Sequence, residues 1–169
     1  NPKLNVSHWR LGIAYFYLSD FSKAAHQFEI YHQYDSRDRE NGIWRFMSQY
    51  KESGLEKARK GLLTYQRDDR PPYLWLYSMF KGDLTPLQVF QKIKNKSFPK
   101  GYKDRVLFHA NLYVGIFLEL TGDSPQDALQ FLAKAVANKY GQTTGTYMWQ
   151  VARIHHQKLL LEIKNKKID

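Results

Sequence analysis

The chain has 169 residues, 43% of them apolar and 15% aromatic, with no cysteine and a formal net charge of +10. That length and apolar content exclude a disordered chain and suffice for one domain with a real core. The missing cysteine excludes disulfides, thiolate metal sites and cysteine nucleophiles. No apolar run approaches the roughly 18 residues a membrane helix needs. The positive excess is concentrated in the middle third, where residues 51–110 hold thirteen Lys or Arg against six Asp or Glu. That suggests either an anionic partner or, more commonly, a solvated helix face.

The first element predicted is a helix from Val6 to Leu18, with Trp9, Ile13 and Phe16 on one side and Leu11, Tyr15 and Leu18 beside them. Ser19-Asp20 interrupts the pattern, and Ser22 to Tyr34 resumes it with Ala24, Ala25, Phe28 and Tyr31 facing one way. Two helices joined by so short a link are antiparallel neighbours. A shift of 34 positions superposes Ser19 on Ser53, Phe21 on Leu55, Ala24 on Ala58, Phe28 on Leu62 and Tyr31 on Tyr65. The second hairpin is therefore expected over 39–70, with Phe46 where the first has Gly12. Asp35, Asp38 and Glu40, interleaved with Arg37 and Arg39, read as a salt-bridged, solvated turn between the hairpins.

Pro71-Pro72 stops this pattern and opens a short apolar helix, Tyr73 to Phe80. Gly82-Asp83 reads as a turn, and Thr85-Pro86 as the cap and first position of another helix. A polar loop follows over Lys94–Lys103. From Asn111 to Asn138 the order of Gly115, Leu118, Gly122-Asp123, Ala128, Leu132 and Ala135 repeats that of Gly12, Tyr15, Ser19-Asp20, Ala24 and Phe28, with one residue inserted near Pro125. The last element is one long helix, about 144–164, with Met148, Val151, His155, Leu159 and Ile163 along one stripe.

A helix-turn-helix period of 34 residues, with small residues at Gly12 and Ala24 and large ones at Tyr15, Phe21 and Phe28, resembles the tetratricopeptide repeat. The glycine has a physical reason: Gly12 and Ala24 let two helix backbones approach where larger side chains collide. The short proline-started pair, the Gly115 helix, "GDSPQDALQFLAKAVAN" and the final long helix are similar to bacterial adaptors of the new-lipoprotein-I type, over roughly Leu74 to Leu161. The lipid-bearing cysteine of that family is absent.

The resemblance implies an all-α fold, a right-handed TPR-like superhelix of antiparallel helix hairpins over 1–169. Its units fall at about 5–38, 39–70, 71–95 and 102–138, and the C-terminal helix caps it. It also implies a non-catalytic adaptor that positions other proteins, among them bacterial envelope enzymes. The groove carried over from the family falls on Trp9, Ile13, Phe16, Tyr17, Ile43, Met47, Tyr50, Leu112, Ile116 and Glu119. That mostly apolar surface suits a docked peptide or helix, or else the chain's own terminal helix fills it as core. The implied compartment is the bacterial envelope rather than the cytoplasm. The opening Asn1-Pro2, without an initiator Met, fits removal of an export signal.

No cofactor or metal is expected. His155-His156 are adjacent and diverge by about 100° on a helix, and His26 and His32 share no face well. No Walker loop, GxSxG or dinucleotide glycine pattern occurs. Lys92, Lys94, Lys96, Lys100, Lys103 and Arg105, with Phe98 and Tyr102 interleaved, have the composition of a single-stranded nucleic-acid contact. Binding of an anionic ligand or nucleic acid through this segment is the alternative function. A homodimer joined through exposed repeat ends is a further expectation.

Overall fold

The computed structural model of the chain describes residues 6–67, 69–122 and 124–166. Asn5, where the first unit is expected to begin, and Asp123 of the expected turn lie outside them. The described residues are all-helical, with nine helices and no strand. They form two compact units divided between Leu84 and Thr85. The unit expected over 71–95 spans that division.

In the first unit, α1 (Trp9–Tyr17) and α2 (Phe21–Tyr34) form the expected hairpin. The link is tight. Ser19 takes a left-handed conformation (φ 61°), and the Asp20 and Ser19 amides bond back to the carbonyls of Tyr15 (2.9 Å) and Phe16 (3.1 Å), which satisfies the end of α1. Asp20 then caps α2 by accepting from the Lys23 amide. A Cβ on Gly12 would stand 2.7 Å from the Phe28 ring. The absent side chain therefore sets how closely the two helices pack.

α3 (Arg39–Lys60) crosses this hairpin. Its Trp44, 2% exposed, lies edge-on to Phe16 (5.3 Å) and stacks on Phe28 (6.2 Å). Buried Asn41 donates from Nδ2 to the Phe28 carbonyl (2.7 Å). The close approach at this helix belongs to Gly42, which packs under Tyr65 and Tyr77, one turn before the Phe46 expected to stand there. Phe46 instead meets Phe80 of α4 (Tyr73–Lys81) edge-on at 5.2 Å.

The second hairpin departs from the 34-residue correspondence. Gly54 bends α3 with φ 83° and ψ 176°, a conformation nearly confined to glycine. The helix then ends at Lys60, so Leu62 and Tyr65 are not helical as Phe28 and Tyr31 are. After the bend only Ala58 is fully buried, and the last turn is basic (Lys57, Arg59, Lys60). So polar a face gains little by extending against the core. Residues 61–67 run on without helix, anchored by side chains that donate to their carbonyls: Arg45 to Gly61, Tyr77 to Leu63 (2.8 Å) and Arg39 to Arg67 (2.7 Å).

The second unit begins with α5 (Pro86–Asn95), opened by a reciprocal cap between Thr85 and Gln88. α6 (Tyr102–Thr121) is buried on most of its circumference, with Phe108, Leu112, Tyr113 and Ile116 inaccessible. α7 (Pro125–Val136), capped by Ser124, packs along it. A Cβ on Gly115 would lie 2.8 Å from Leu132 Cγ and 3.1 Å from the Ala128 carbonyl. A short α8 (Lys139–Thr144), not anticipated from the pattern, leads into α9 (Tyr147–Asn165). Trp149 of α9 donates to the Val136 carbonyl at 3.0 Å.

Gly12→Ala and Gly115→Ala are each expected to lower stability by about 1–3 kcal/mol, the usual cost of overpacking a close contact. Thermal melts followed by circular dichroism measure it.

Candidate functional site

The positions assigned to a groove divide by burial. In the first unit Ile13, Phe16, Ile43 and Met47 are core, each 6% exposed or less. Trp9, Tyr17 and Tyr50 are only partly covered. Arg10 lies over the Trp9 ring (5.0 Å), Tyr17 meets Phe16 edge-on (5.5 Å), and Tyr50 lies 6.3 Å from Phe46. In the second unit Leu112 and Ile116 are fully buried.

Glu119 serves another purpose. Its Oε2 lies 2.7 Å from Nε2 of His155 on α9, with side-chain exposures of 14% and 5%. The sequence offers a signal for this pair: His155 interrupts an otherwise apolar stripe, and a polar ring in a buried stripe needs a partner. What it lacks is a way to choose Glu119, 36 residues away.

The basic segment is exposed as a group. Lys92 and Lys94 end α5, Lys96 caps it, Lys100 lies in the connector and Lys103 opens α6. Arg105 is partly covered, its guanidinium 5.8 Å from the Tyr102 ring and 6.0 Å from Tyr140. Phe98 and Tyr102 lie 6.1 Å apart. The lysines that end α5 complement its dipole, whereas Lys103 and Arg105 oppose that of α6.

The α2–α3 turn is the most polar region of the first unit. Of the residues expected to pair here, Arg37 meets Asp35 (3.5 Å); Glu40 is paired by Arg70 (3.2 Å), which lies outside the expected turn and also meets Asp69 (3.0 Å). The turn is less solvated than expected. Arg39 is 5% exposed, its amide donates to Asp69 (3.0 Å) and its guanidinium lies over Tyr65. Asp38 caps α3 by accepting from the Glu40 amide (3.1 Å). Burial pushes its carboxyl up to about 7; Glu40 and Asp69 add to the rise and Arg70 opposes it. Burial likewise raises the Tyr65 and Tyr77 hydroxyls, which stay protonated and donate to the carbonyls of Asp38 (3.1 Å) and Leu63.

Two cavities open here. One of about 530 Å³ lies between the turn and residues 64–67; a smaller one, about 260 Å³, is lined by Asp38, Asp69 and Arg70. Asp35 and Arg37 line both. At the edge of the larger, His32 has a buried Nδ1 without a hydrogen-bond partner. Burial, then the charge of Arg45, lowers the pKa of that ring, so it is neutral at physiological pH. Among the described residues no group of three His, Asp or Glu is arranged to hold a metal ion, and no helix is long and apolar enough to cross a membrane. No protein-family model matches the chain, and no curated protein is significantly similar to it.

The raised Asp38 carboxyl makes stability depend on pH. Its folded value lies above the ordinary 3.8, so its contribution is complete below about pH 4 and is lost as pH rises through about 7. Asn caps a helix as well as Asp does. Asp38→Asn is therefore expected to gain melting temperature relative to the unchanged protein between about pH 5 and pH 8. A difference that stays flat over that range would remove Asp38 as the cause.

Proposed function

We propose that the chain is a non-catalytic protein-binding scaffold of the tetratricopeptide kind, a right-handed superhelix of hairpins that positions partner proteins, bacterial envelope enzymes among them. One observation carries the reading. The same small-against-large contact recurs in two separate hairpins, Gly12 against Phe28 and Gly115 against Leu132. Repetition of a packing unit rather than of a reactive group favours a molecule that presents shape.

The burial pattern narrows where a partner binds. Ile13, Phe16, Ile43 and Met47 form rigid backing, while Trp9, Tyr17 and Tyr50 are the groove positions in the first unit with ring surface to offer. Partly exposed aromatics over a packed base suit anchoring of a peptide or helix. Affinity purification from the cells that make the protein tests this. Trp9→Ala with Tyr50→Ala is expected to lose a captured partner while keeping its helical spectrum and melting temperature. Met47→Ala is expected to cost about 2–5 kcal/mol of stability. Capture of the same proteins by the folded double variant would overturn the assignment.

The exposed lysines of the second unit, with Phe98 beside Tyr102, favour a second reading: an anionic ligand or single-stranded nucleic acid bound at Lys92, Lys94, Lys96, Lys100, Lys103 and Arg105. For an oligonucleotide, log affinity should then fall with log salt by roughly 0.7 per phosphate contacted. Replacing Lys92, Lys94 and Lys96 by Gln should flatten that slope; a slope near zero in the unchanged protein excludes the reading.

A further inference from the structure

We infer that the larger cavity of the first unit, between the α2–α3 turn and residues 64–67, binds a small ligand through an oxyanion, a carboxylate or a phosphate, held by Arg37 and Arg67. This stands apart from the groove and from the basic segment. Three features of the cavity wall support it.

The first is the donor set. Arg37 and Arg67 both line the cavity, together with Ser36, Thr64 and Gln66. Guanidinium is the side chain best matched to carboxylate and phosphate geometry. Asp35, the acid in this lining, is already engaged. It accepts from the Arg37 backbone amide at 3.0 Å and faces the Arg37 Nε at 3.5 Å. That pairing holds Arg37 at the rim.

The second feature is His32. Its Nδ1 is withdrawn from water and makes no hydrogen bond. The residue also lines the cavity, so its ring reports on a ligand that enters.

The third is the backbone of the wall. The carbonyls of Gly61, Leu63 and Arg67 are occupied by Arg45, Tyr77 and Arg39. Among the described residues, no backbone N–H from Leu63 to Arg67 donates to a backbone carbonyl. Of these N–H groups, those of Thr64, Gln66 and Arg67 belong to residues that line the cavity. The adjoining smaller cavity carries Asp38 and Asp69 together with Arg70, a mixed lining less suited to an anion. Its 530 Å³ falls within the range of small-molecule sites, so the ligand carries a body as well as the charged group.

The test uses the purified full chain with inorganic phosphate and, separately, acetate, followed by the ring-nitrogen NMR signals of its six histidines. His32 is assigned by loss of its signal in His32→Gln. The expected result is a saturable shift of the His32 signal at about millimolar anion, a few kcal/mol of binding. The shift should weaken at least tenfold in Arg67→Ala and in Arg37→Gln, whose melting temperatures stay unchanged, and persist when Lys92, Lys94 and Lys96 are Gln. A response to phosphate alone identifies a phosphate-bearing ligand, a response to acetate alone a carboxylate, and a response to both an oxyanion site that takes either. No saturable shift with either anion up to about 10 mM, or a shift that survives both arginine substitutions, would overturn the proposal.

Discussion

The packing of the first unit depends on a side chain that is absent. Gly12 brings the α1 backbone against the Phe28 ring, and that ring, fixed from one side, becomes the surface on which Trp44 stacks. Trp44 is met in turn by Phe16 and Tyr17. α3 is therefore seated by aromatic contacts that exist only because α1 and α2 are close. Asn41 adds direction, since its buried Nδ2 donates to the Phe28 carbonyl and penalises any slide of α3 along α2. The second unit repeats the device with different atoms: Leu132 and the Ala128 carbonyl occupy the space at Gly115.

Close packing of this kind explains why so many groove positions are core. Residues three or four apart share one face of a helix, so Ile13 with Phe16 on α1 and Ile43 with Met47 on α3 turn together toward the neighbouring helices. Where three helices converge on Trp44, little outward surface remains for Ile13, Phe16, Ile43 or Met47. The rings left partly exposed are Trp9 and Tyr17, at the two ends of α1, and Tyr50, in the middle of α3.

The helices at Trp9–Tyr17, Phe21–Tyr34, Tyr73–Lys81 and Pro125–Val136 were legible in the sequence because each combines a periodic apolar face with a physical stop or start: Asp20, Pro71-Pro72, Gly82, or Ser124-Pro125. The 34-residue correspondence failed where its apolar matches were kept but the chain conformation was not. Leu62 and Tyr65 are apolar like Phe28 and Tyr31, yet Gly54 and the polar turn after it leave no helix to carry them. The His155–Glu119 pair and the cavity beside His32 were beyond the sequence for a different reason. Both depend on which distant residues meet, and no local pattern encodes that. The basic segment was legible as charge, while the division of its cations between a helix end they suit and a helix start they oppose needed the helix limits.

The segment from Gly61 to Arg67 is held by its main-chain oxygens, gripped by Arg39, Arg45 and Tyr77. Every residue type supplies that oxygen. Thr64, Gln66 and Arg67 can therefore be exchanged over evolution without releasing the loop, whereas its three anchors cannot. Such a wall keeps its course while its chemistry drifts, so descendants of one ancestral fold could acquire different ligands at this place with no change in their helices.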